Sequence, residues 1–167
     1  MILLDAGPSD WVLFFGHFHP VLVHLPIGML VLAVLMYFFS KEQNEGLRQK
    51  SVSTIFLWAS LFAFLSCAMG WALSQTGEYD EDTLFFHQWL GISTGLISAI
   101  LSYMARFWSD EKTMMKLFKP VLWVSLILIT ITGHLGGNLT HGSDYLTAYL
   151  PQPIRAWVGM EARAEAA

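Results

Sequence analysis

Six histidines are the residues of this chain best suited to bind a cofactor, and all of them fall at one end of its apolar segments. Imidazole nitrogens ligate haem iron and transition metals such as copper, zinc and iron. Ionisable side chains in apolar helices are costly and usually mark a functional site. The uneven distribution therefore predicts a cofactor site near one face, which we name the outer face. The six are His17, His19, His24, His87, His134 and His141.

Three of these histidines are expected to reach one level inside the apolar segments. At a rise of about 1.5 Å per residue, His24, His87 and His134 should lie roughly 5–8 Å from the outer helix ends. We expect two of them to ligate b-type haem, or all three to bind a metal ion. If two haems lie side by side, His19 and His141 are the additional ligands.

His19 and His24 are too far apart around a helix to face the same centre. Five residues separate them, which is about 140° of rotation. Pro26 removes a backbone donor inside the segment and should bend the helix beside His24. We therefore expect His24 to point inwards and His19 to face the outer rim.

Glycines beside His87 could leave room for a flat macrocycle. His87, Gly91 and Gly95 are spaced at i, i+4 and i+8, so they share one helix face. The same spacing is also how ordinary membrane helices pack closely. The glycines are therefore compatible with a haem slot and with plain helix packing.

Two other interpretations of the histidines need no haem. The first is a non-haem metal site in which outer carboxylates add oxygen ligands. The second is a polar vestibule without a cofactor, on a membrane anchor that docks a larger complex. The carboxylates available to the first are Asp80, Glu81, Asp82 and Asp144.

The elements that must position these residues are long apolar helices. Hydrophobic residues make up 54% of the 167 residues and charged residues 13%, against about 25% charged in soluble domains. Four uncharged stretches are long enough to cross a bilayer, which takes about 20 residues. We predict one domain, residues 1–167, an all-α integral membrane four-helix bundle with an outer interfacial segment at 141–159. The predicted spans are about 19–40, 52–74, 84–105 and 120–139.

Basic residues set the expected orientation. The loops at 41–50 and 106–119 contain most of the nine Lys and Arg residues, whereas the loop between them is acidic. By the positive-inside rule these two loops face the cytoplasm. Both termini and the histidines then face outwards, to the periplasm if the chain lies in a bacterial inner membrane.

Composition excludes several function classes. The single cysteine, Cys67, excludes an intrachain disulfide framework and covalent c-type haem, which needs Cys-x-x-Cys-His. The net charge of −4 gives no indication of nucleic-acid binding. The glycine patterns of P-loop and dinucleotide-binding proteins are absent.

The segment 19–28, His-Pro-x-x-Val-His-Leu-Pro-Ile-Gly, resembles the hallmark of a bacterial membrane domain of unknown function. That domain occurs alone and fused to c-type cytochrome modules. The resemblance covers about residues 17–145 and implies a four-helix bundle associated with respiratory electron transfer. It assigns no catalytic residue. Further matching segments are 77–80 (Gly-Glu-Tyr-Asp), 87–91 (His-Gln-Trp-Leu-Gly), 132–137 (Thr-Gly-His-Leu-Gly-Gly) and 141–145 (His-Gly-Ser-Asp-Tyr).

Together these observations predict a membrane electron-transfer subunit rather than a stand-alone enzyme. A b-type haem near the outer face would pass electrons between membrane quinol and a periplasmic cytochrome c. The expected partners are lipid and other subunits of a respiratory complex. Because the inner halves of the spans contain no histidine, the sequence argues against a second haem near the cytoplasmic face.

Overall fold

The protein is helical throughout the long segments that the structure describes. The computed structural model describes residues 8–40, 45–77, 79–107 and 112–142, with 147, 149–151 and 153–154 beyond them. The predicted interfacial segment 141–159 therefore lies mostly outside the described residues, as does Asp144. The helices are α1 (Asp10–Gly16), α2 (His19–Leu22), α3 (His24–Phe39), α4 (Glu45–Ser74), α5 (Glu81–Phe107) and α6 (Lys112–His141).

Four segments are long and apolar enough to cross a membrane, so the chain is a multi-pass membrane protein with an all-α fold. They are Asp10–Phe39, Glu45–Ser74, Glu81–Phe107 and Lys116–His141. Each helical segment extends past the span expected from hydropathy, because backbone hydrogen bonding continues beyond the apolar residues. An even number of spans brings Asp10 and His141 to the same side. We call this side the histidine end and the other the opposite end.

The first span is broken into three helices. Pro20 and Pro26 lack the N–H groups that would bond the carbonyls four residues earlier, so the helical ladder is interrupted twice. The chain turns at residues 17–18 and again at Val23. His17, Phe18 and Val23 nonetheless keep backbone angles of the α region, so the segment runs on as one span, Asp10–Phe39.

Each membrane-spanning segment packs mainly on the next one along the chain. The helix α4 contacts α1, α2, α3 and α5, and α6 packs on α5. Between α3 and α6 the aromatic contacts lie near the opposite end. Ring centroids are 4.8 Å apart for Tyr37 and Phe118, and 6.3 Å apart for Phe38 and Trp123.

Tight packing is concentrated at the opposite end. The helix α6 has no buried residue from 126 to 141, and α5 has none from 81 to 93. Gly16, Pro26, Ser66 and Ala72 are the buried residues near the histidine end among those described. The core cluster at the other end comprises Leu30, Ala33, Val52, Phe56, Ala59, Leu101, Met104, Ala105, Phe118 and Leu122.

Serine hydroxyls join α4 to α5 across their buried faces. The Ser53 hydroxyl donates to the Ser102 carbonyl at 2.9 Å, and the Ser102 hydroxyl donates to the Ser53 carbonyl at 2.8 Å. About two turns away along both helices, the Ser60 hydroxyl donates to the Gly95 carbonyl at 2.9 Å. Interhelical hydrogen bonds of this kind contribute to association where lipid gives no hydrophobic driving force.

Candidate functional site

Two histidines face each other at the histidine end. The ring centroids of His19, on α2, and His87, on α5, are 6.1 Å apart and the ring planes are almost perpendicular, at 88°. Both side chains are partly buried. They come from helices that are far apart in the sequence, so the tertiary fold brings this pair together.

His19 is held on α4. Its Nδ1–H donates to the carbonyl of Ser66 at 2.8 Å, and the Ser66 hydroxyl oxygen lies 3.2 Å from the same nitrogen. A Cβ added to Gly70 would lie 2.9 Å from the Cε1 atom of the ring. The imidazole therefore rests on the bare backbone of a glycine, one turn after the residue that accepts its proton.

His87 is held on α6 in the same way. Its Nδ1–H donates to the carbonyl of Thr132 at 3.0 Å. A Cβ added to Gly136 would lie 2.9 Å from its Cε1 atom. Each imidazole thus combines a carbonyl and, four residues further on, a glycine from a neighbouring helix.

These hydrogen bonds decide which nitrogen is free to bind a ligand. With Nδ1 as the donor, a neutral imidazole keeps its lone pair on Nε2. Within the described part of the chain, Nε2 of His19 and Nε2 of His87 have no hydrogen bond. An ion bonded to one nitrogen of each ring, at about 2.0–2.1 Å, holds two imidazole centroids roughly 6 Å apart. The free Nε2 atoms and the centroid spacing are therefore compatible with a bis-imidazole metal centre, haem iron included.

The predicted orientations of His19 and His24 are wrong: the structure has them reversed. His24 is exposed, and its Nδ1–H donates to the Pro20 carbonyl of its own segment at 2.7 Å. Pro26 is itself buried, and a residue two positions earlier lies about 200° away around the helix. His24 therefore points away from the core, whereas His19 is partly buried against α4.

Three further histidines lie at the surface of the histidine end. His17 is exposed and donates from Nδ1 to the Leu13 carbonyl at 2.7 Å. His134 is exposed, and its Nε2 is 3.4 Å from the Asn138 amide nitrogen, four residues later. His141 is exposed as well. The structure therefore does not bring His24, His87 and His134 together as a ligand set.

Carboxylates do not complete a metal site among the described residues. No group of three His, Cys, Asp or Glu side chains in that part of the chain is arranged to hold a metal ion. The carboxylate of Asp80 instead accepts hydrogen bonds from the backbone and hydroxyl of Thr83, where it caps α5. Glu81 and Asp82 are exposed in the first turn of that helix.

The α5 glycines contact side chains of α4. A Cβ added to Gly91 would lie 3.4 Å from the Cys67 sulfur, and one added to Gly95 would lie 3.1 Å from the Phe64 ring. These positions therefore serve close helix packing in this structure. The glycines that contact the imidazoles are Gly70 and Gly136.

Sequence reasoning did not identify the groups that orient the pair. Ser66 and Thr132 act through main-chain carbonyls, which every residue has, so residue type gives no signal. For Gly70 and Gly136 the sequence does give an indication, since small residues recur near the histidine ends of α4 and α6. It does not say which of them touches a ring.

Comparison with known proteins finds one matching family, which covers most of the chain. No curated protein and no solved structure matches this chain. A family described as predicted membrane protein (DUF2231) matches residues 17–145, which include α2 and α5, the helices of the histidine pair, and all of the four spans except the start of the first. The chain therefore belongs to the DUF2231 family of predicted membrane proteins.

Proposed function

We propose that this chain is a membrane electron-transfer subunit that binds one b-type haem, with His19 and His87 as its axial ligands. The observation that supports the proposal is the pairing of these imidazoles, each bonded through Nδ1 to a carbonyl of another helix. By contrast, His17, His24 and His134 form their hydrogen bonds within their own segments. The pairing is therefore specific to two of the histidines.

The chain's own contribution is to orient the ligands and fix their protonation. The Ser66 and Thr132 carbonyls keep both rings in the Nδ1–H form, with Nε2 available for iron. A backbone carbonyl in this role is a common outer partner of ligating histidines and raises their basicity. Bound haem iron supplies one-electron redox chemistry. Neither ring has to gain or lose a proton for that chemistry.

The packing of the bundle also favours a large cofactor at this end. Side chains are tightly buried at the opposite end, whereas α6 buries no residue between 126 and 141. A bundle of four helices normally fills its interior with side chains. The sparse burial of side chains in this half supports placing the macrocycle there.

The proposed orientation puts the haem on the periplasmic side of a bacterial inner membrane. The basic residues Arg48, Lys50, Arg106, Lys116 and Lys119 lie at the opposite end, which the positive-inside rule assigns to the cytoplasm. One haem near the periplasmic face would accept electrons from quinol and pass them to a periplasmic cytochrome c. Other subunits of a respiratory complex would be its partners.

A bare transition-metal ion is the second candidate. Two imidazoles with centroids 6.1 Å apart also suit a single copper, zinc or iron ion. No third side chain of the described residues joins them, so such an ion would take its remaining ligands from outside this set. This candidate needs no space for a macrocycle.

A dithionite-reduced minus air-oxidised absorption spectrum, with metal analysis of the same purified protein, tests the proposal. We expect a Soret shift, a sharp α band near the b-type position and stoichiometric iron. A flat spectrum with stoichiometric copper, zinc or iron would favour the second candidate. A folded protein with neither haem nor metal would overturn both and favour a cofactor-free membrane anchor.

Single substitutions test the ligand assignment. His19→Ala and His87→Ala should each abolish the b-type spectrum. His24→Ala and His134→Ala are matched controls, because they remove the same side chain at the same end of the bundle from exposed positions. The assignment is wrong if His24→Ala loses the spectrum and His19→Ala keeps it.

A further inference from the structure

We propose that the outward face of α6 is a homodimer interface, in which His134 and Asn138 of one copy hydrogen-bond to the same two residues of a second copy. The interface is parallel and two-fold symmetric, because every copy crosses the membrane in the same direction. The inference goes beyond the proposed function and does not depend on haem or metal binding. Three features of α6 support it: an uncovered face, two polar side chains on that face, and two open glycines beside them.

The helix α6 is the least covered of the four spans. Its most apolar stretch has 11% of its residues buried, against 39% in Glu45–Ser74. It packs mainly on α5, and its aromatic contacts with α3 lie near the opposite end. One face of α6 is therefore left to lipid or to a partner. Its exposed residues recur at intervals of three or four: Trp123, Ile127, Thr130 and His134.

Two hydrogen-bonding side chains lie one turn apart on this side of α6. The amide nitrogen of Asn138, which can only donate, lies 3.4 Å from Nε2 of His134. Nε2 is then the acceptor, and Nδ1 of the neutral ring carries the proton. Among the described residues, neither this Nδ1–H nor the Asn138 side-chain oxygen has a hydrogen-bond partner. The pair therefore presents one unused donor and one unused acceptor.

The depth of His134 makes an unused donor costly. The span Lys116–His141 has 26 residues, so it is about 39 Å long and exceeds a hydrocarbon core of about 30 Å by roughly 4–5 Å at each end. His134 precedes the end of α6 by about 10 Å, which places it inside the core. Polar groups there are stabilised by partners within the protein or its assembly.

A second copy of this chain is the partner that these groups fit. One donor and one acceptor form a self-complementary set, as a two-fold symmetric interface requires. Identical copies inserted in the same direction carry these groups at the same depth, so they face each other without adjustment. Residues 120–140 contain no Asp, Glu, Lys or Arg, so two such faces do not repel each other.

Gly133 and Gly137 allow the close approach that short side chains need. They precede His134 and Asn138 directly, and a Cβ added to either glycine meets nothing within 4 Å. Gly-x-x-x-Gly spacing in an apolar span lets two helix backbones come close together. Gly136, by contrast, is already occupied by the His87 ring.

The dimer face and the histidine pair lie on opposite sides of α6. Thr132 and Gly136 contact His87, and each precedes a residue of the dimer face by two positions, which is about 200° around the helix. Dimerisation therefore leaves the support of His87 unchanged.

Sedimentation equilibrium of the purified chain in density-matched detergent micelles tests the inference. We expect a reversible monomer–dimer equilibrium that shifts with the ratio of protein to detergent. His134→Ala and Asn138→Ala should each weaken dimerisation on the order of tenfold, because each removes interhelical hydrogen bonds. His24→Ala is the matched control, since it removes an exposed imidazole that is bonded within its own segment. It should leave the equilibrium unchanged.

Gly133→Leu, with Gly28→Leu as its control, tests the close approach of the helices. Both glycines are exposed, and a Cβ at either meets nothing within 4 Å, so neither change disturbs the packing within one copy. Gly133→Leu should keep the protein monomeric over the range of ratios in which the unmodified chain dimerises. Gly28→Leu, on another span, should dimerise as the unmodified chain does.

A chain that is monomeric at every ratio overturns the inference and leaves lipid or a different membrane protein as the occupant of this face. A dimer that the two leucine variants weaken equally, or that neither His134→Ala nor Asn138→Ala weakens, overturns it as well. If Gly133→Leu does not fold, the two alanine variants and His24→Ala decide alone. The test does not use the cofactor spectrum, so its failure is distinguishable from failure of the proposed function.

Discussion

The imidazoles of His19 and His87 stand at 88° to each other with their centroids 6.1 Å apart, and each donates its Nδ1 proton to a carbonyl of a different helix. These hydrogen bonds tie α2 to α4 and α5 to α6. A substitution at a residue that contacts either imidazole should therefore change cofactor binding, although both ligating side chains remain.

Gly70→Ala tests the packing of the His19 ring on α4. The added methyl would lie 2.9 Å from the ring's Cε1 atom, so the imidazole has to shift. We expect apparent haem or metal affinity to fall roughly 10–100-fold, the usual cost of disturbing a residue that orients a ligand. Titration of the cofactor-depleted protein measures the change.

Gly133→Ala is the control for Gly70→Ala. It adds the same methyl to another helix near the same end, where nothing lies within 4 Å. Its affinity should match that of the unmodified protein. Equal losses of affinity in the two variants would show that any added methyl in these helices weakens binding, and that the contact between Gly70 and His19 is not the cause.

Gly136→Ala tests the packing of the His87 ring on α6, and Gly137→Ala is its control. A methyl at Gly136 would meet the His87 ring at 2.9 Å, whereas a methyl at Gly137 meets nothing within 4 Å. We expect Gly136→Ala to broaden or shift the axial-ligand signals in an electron paramagnetic resonance spectrum of the oxidised protein, and Gly137→Ala to leave them in place. Identical spectra for the two variants would contradict the contact between the His87 ring and Gly136 of α6.

The sequence predicted the four spans because hydropathy depends on composition along the chain, and composition alone is enough to identify long apolar helices. It also predicted correctly that His19 and His24 cannot face one centre, since that follows from helical rotation. It did not predict which of them faces inwards. That choice depends on which face of the first span packs on α4, as the burial of Gly16 and Pro26 shows, and single-helix geometry does not contain this information.

The environment of the pair was harder to predict for a different reason. Gly91 and Gly95 share the helix face of His87 in projection, yet α4 covers them with Cys67 and Phe64. Which small residue meets a ring and which meets another helix depends on interhelical register. That register is set by many contacts at once, including the serine hydrogen bonds between α4 and α5.

Those serines give a stability prediction for the opposite end. Ser53 and Ser102 exchange reciprocal hydrogen bonds with each other's carbonyls. Replacing either with Ala should lower the free energy of unfolding in detergent by about 0.6 kcal/mol, and by no more than about 1.7 kcal/mol. Because the two residues are in contact, the double variant should not equal the sum of the single ones.

Ser125→Ala is the matched control for the serine pair. Ser125 is also buried, but its hydroxyl donates to the Leu122 carbonyl within the same helix. It should show no coupling to Ser53→Ala. Strict additivity of Ser53→Ala and Ser102→Ala, measured by denaturant titration, would contradict a direct interaction between them.

Acidification should loosen the start of α5. Asp80 accepts hydrogen bonds from the hydroxyl and the backbone N–H of Thr83, the latter at 2.8 Å, and these bonds lower the pKa of the Asp80 carboxyl below its ordinary value of 3.8. A lowered native pKa means that the ionised cap stabilises the helix above pH 3.8, and that this stabilisation is lost as pH falls through the native pKa. Hydrogen exchange at residues 81–84 should therefore accelerate, relative to its intrinsic rate, below that pH.

Asp80→Asn removes the titrating charge at this position but keeps an acceptor for the Thr83 N–H, so it tests the two contributions separately. Asparagine still accepts the Thr83 N–H through its amide oxygen but does not titrate, and it is as good an N-cap as aspartate. The variant should show no extra acceleration of exchange at 81–84 across the same pH range. If both proteins loosen equally on acidification, titration of Asp80 is not the cause, and the acid sensitivity of α5 has to arise from other carboxyls at the histidine end.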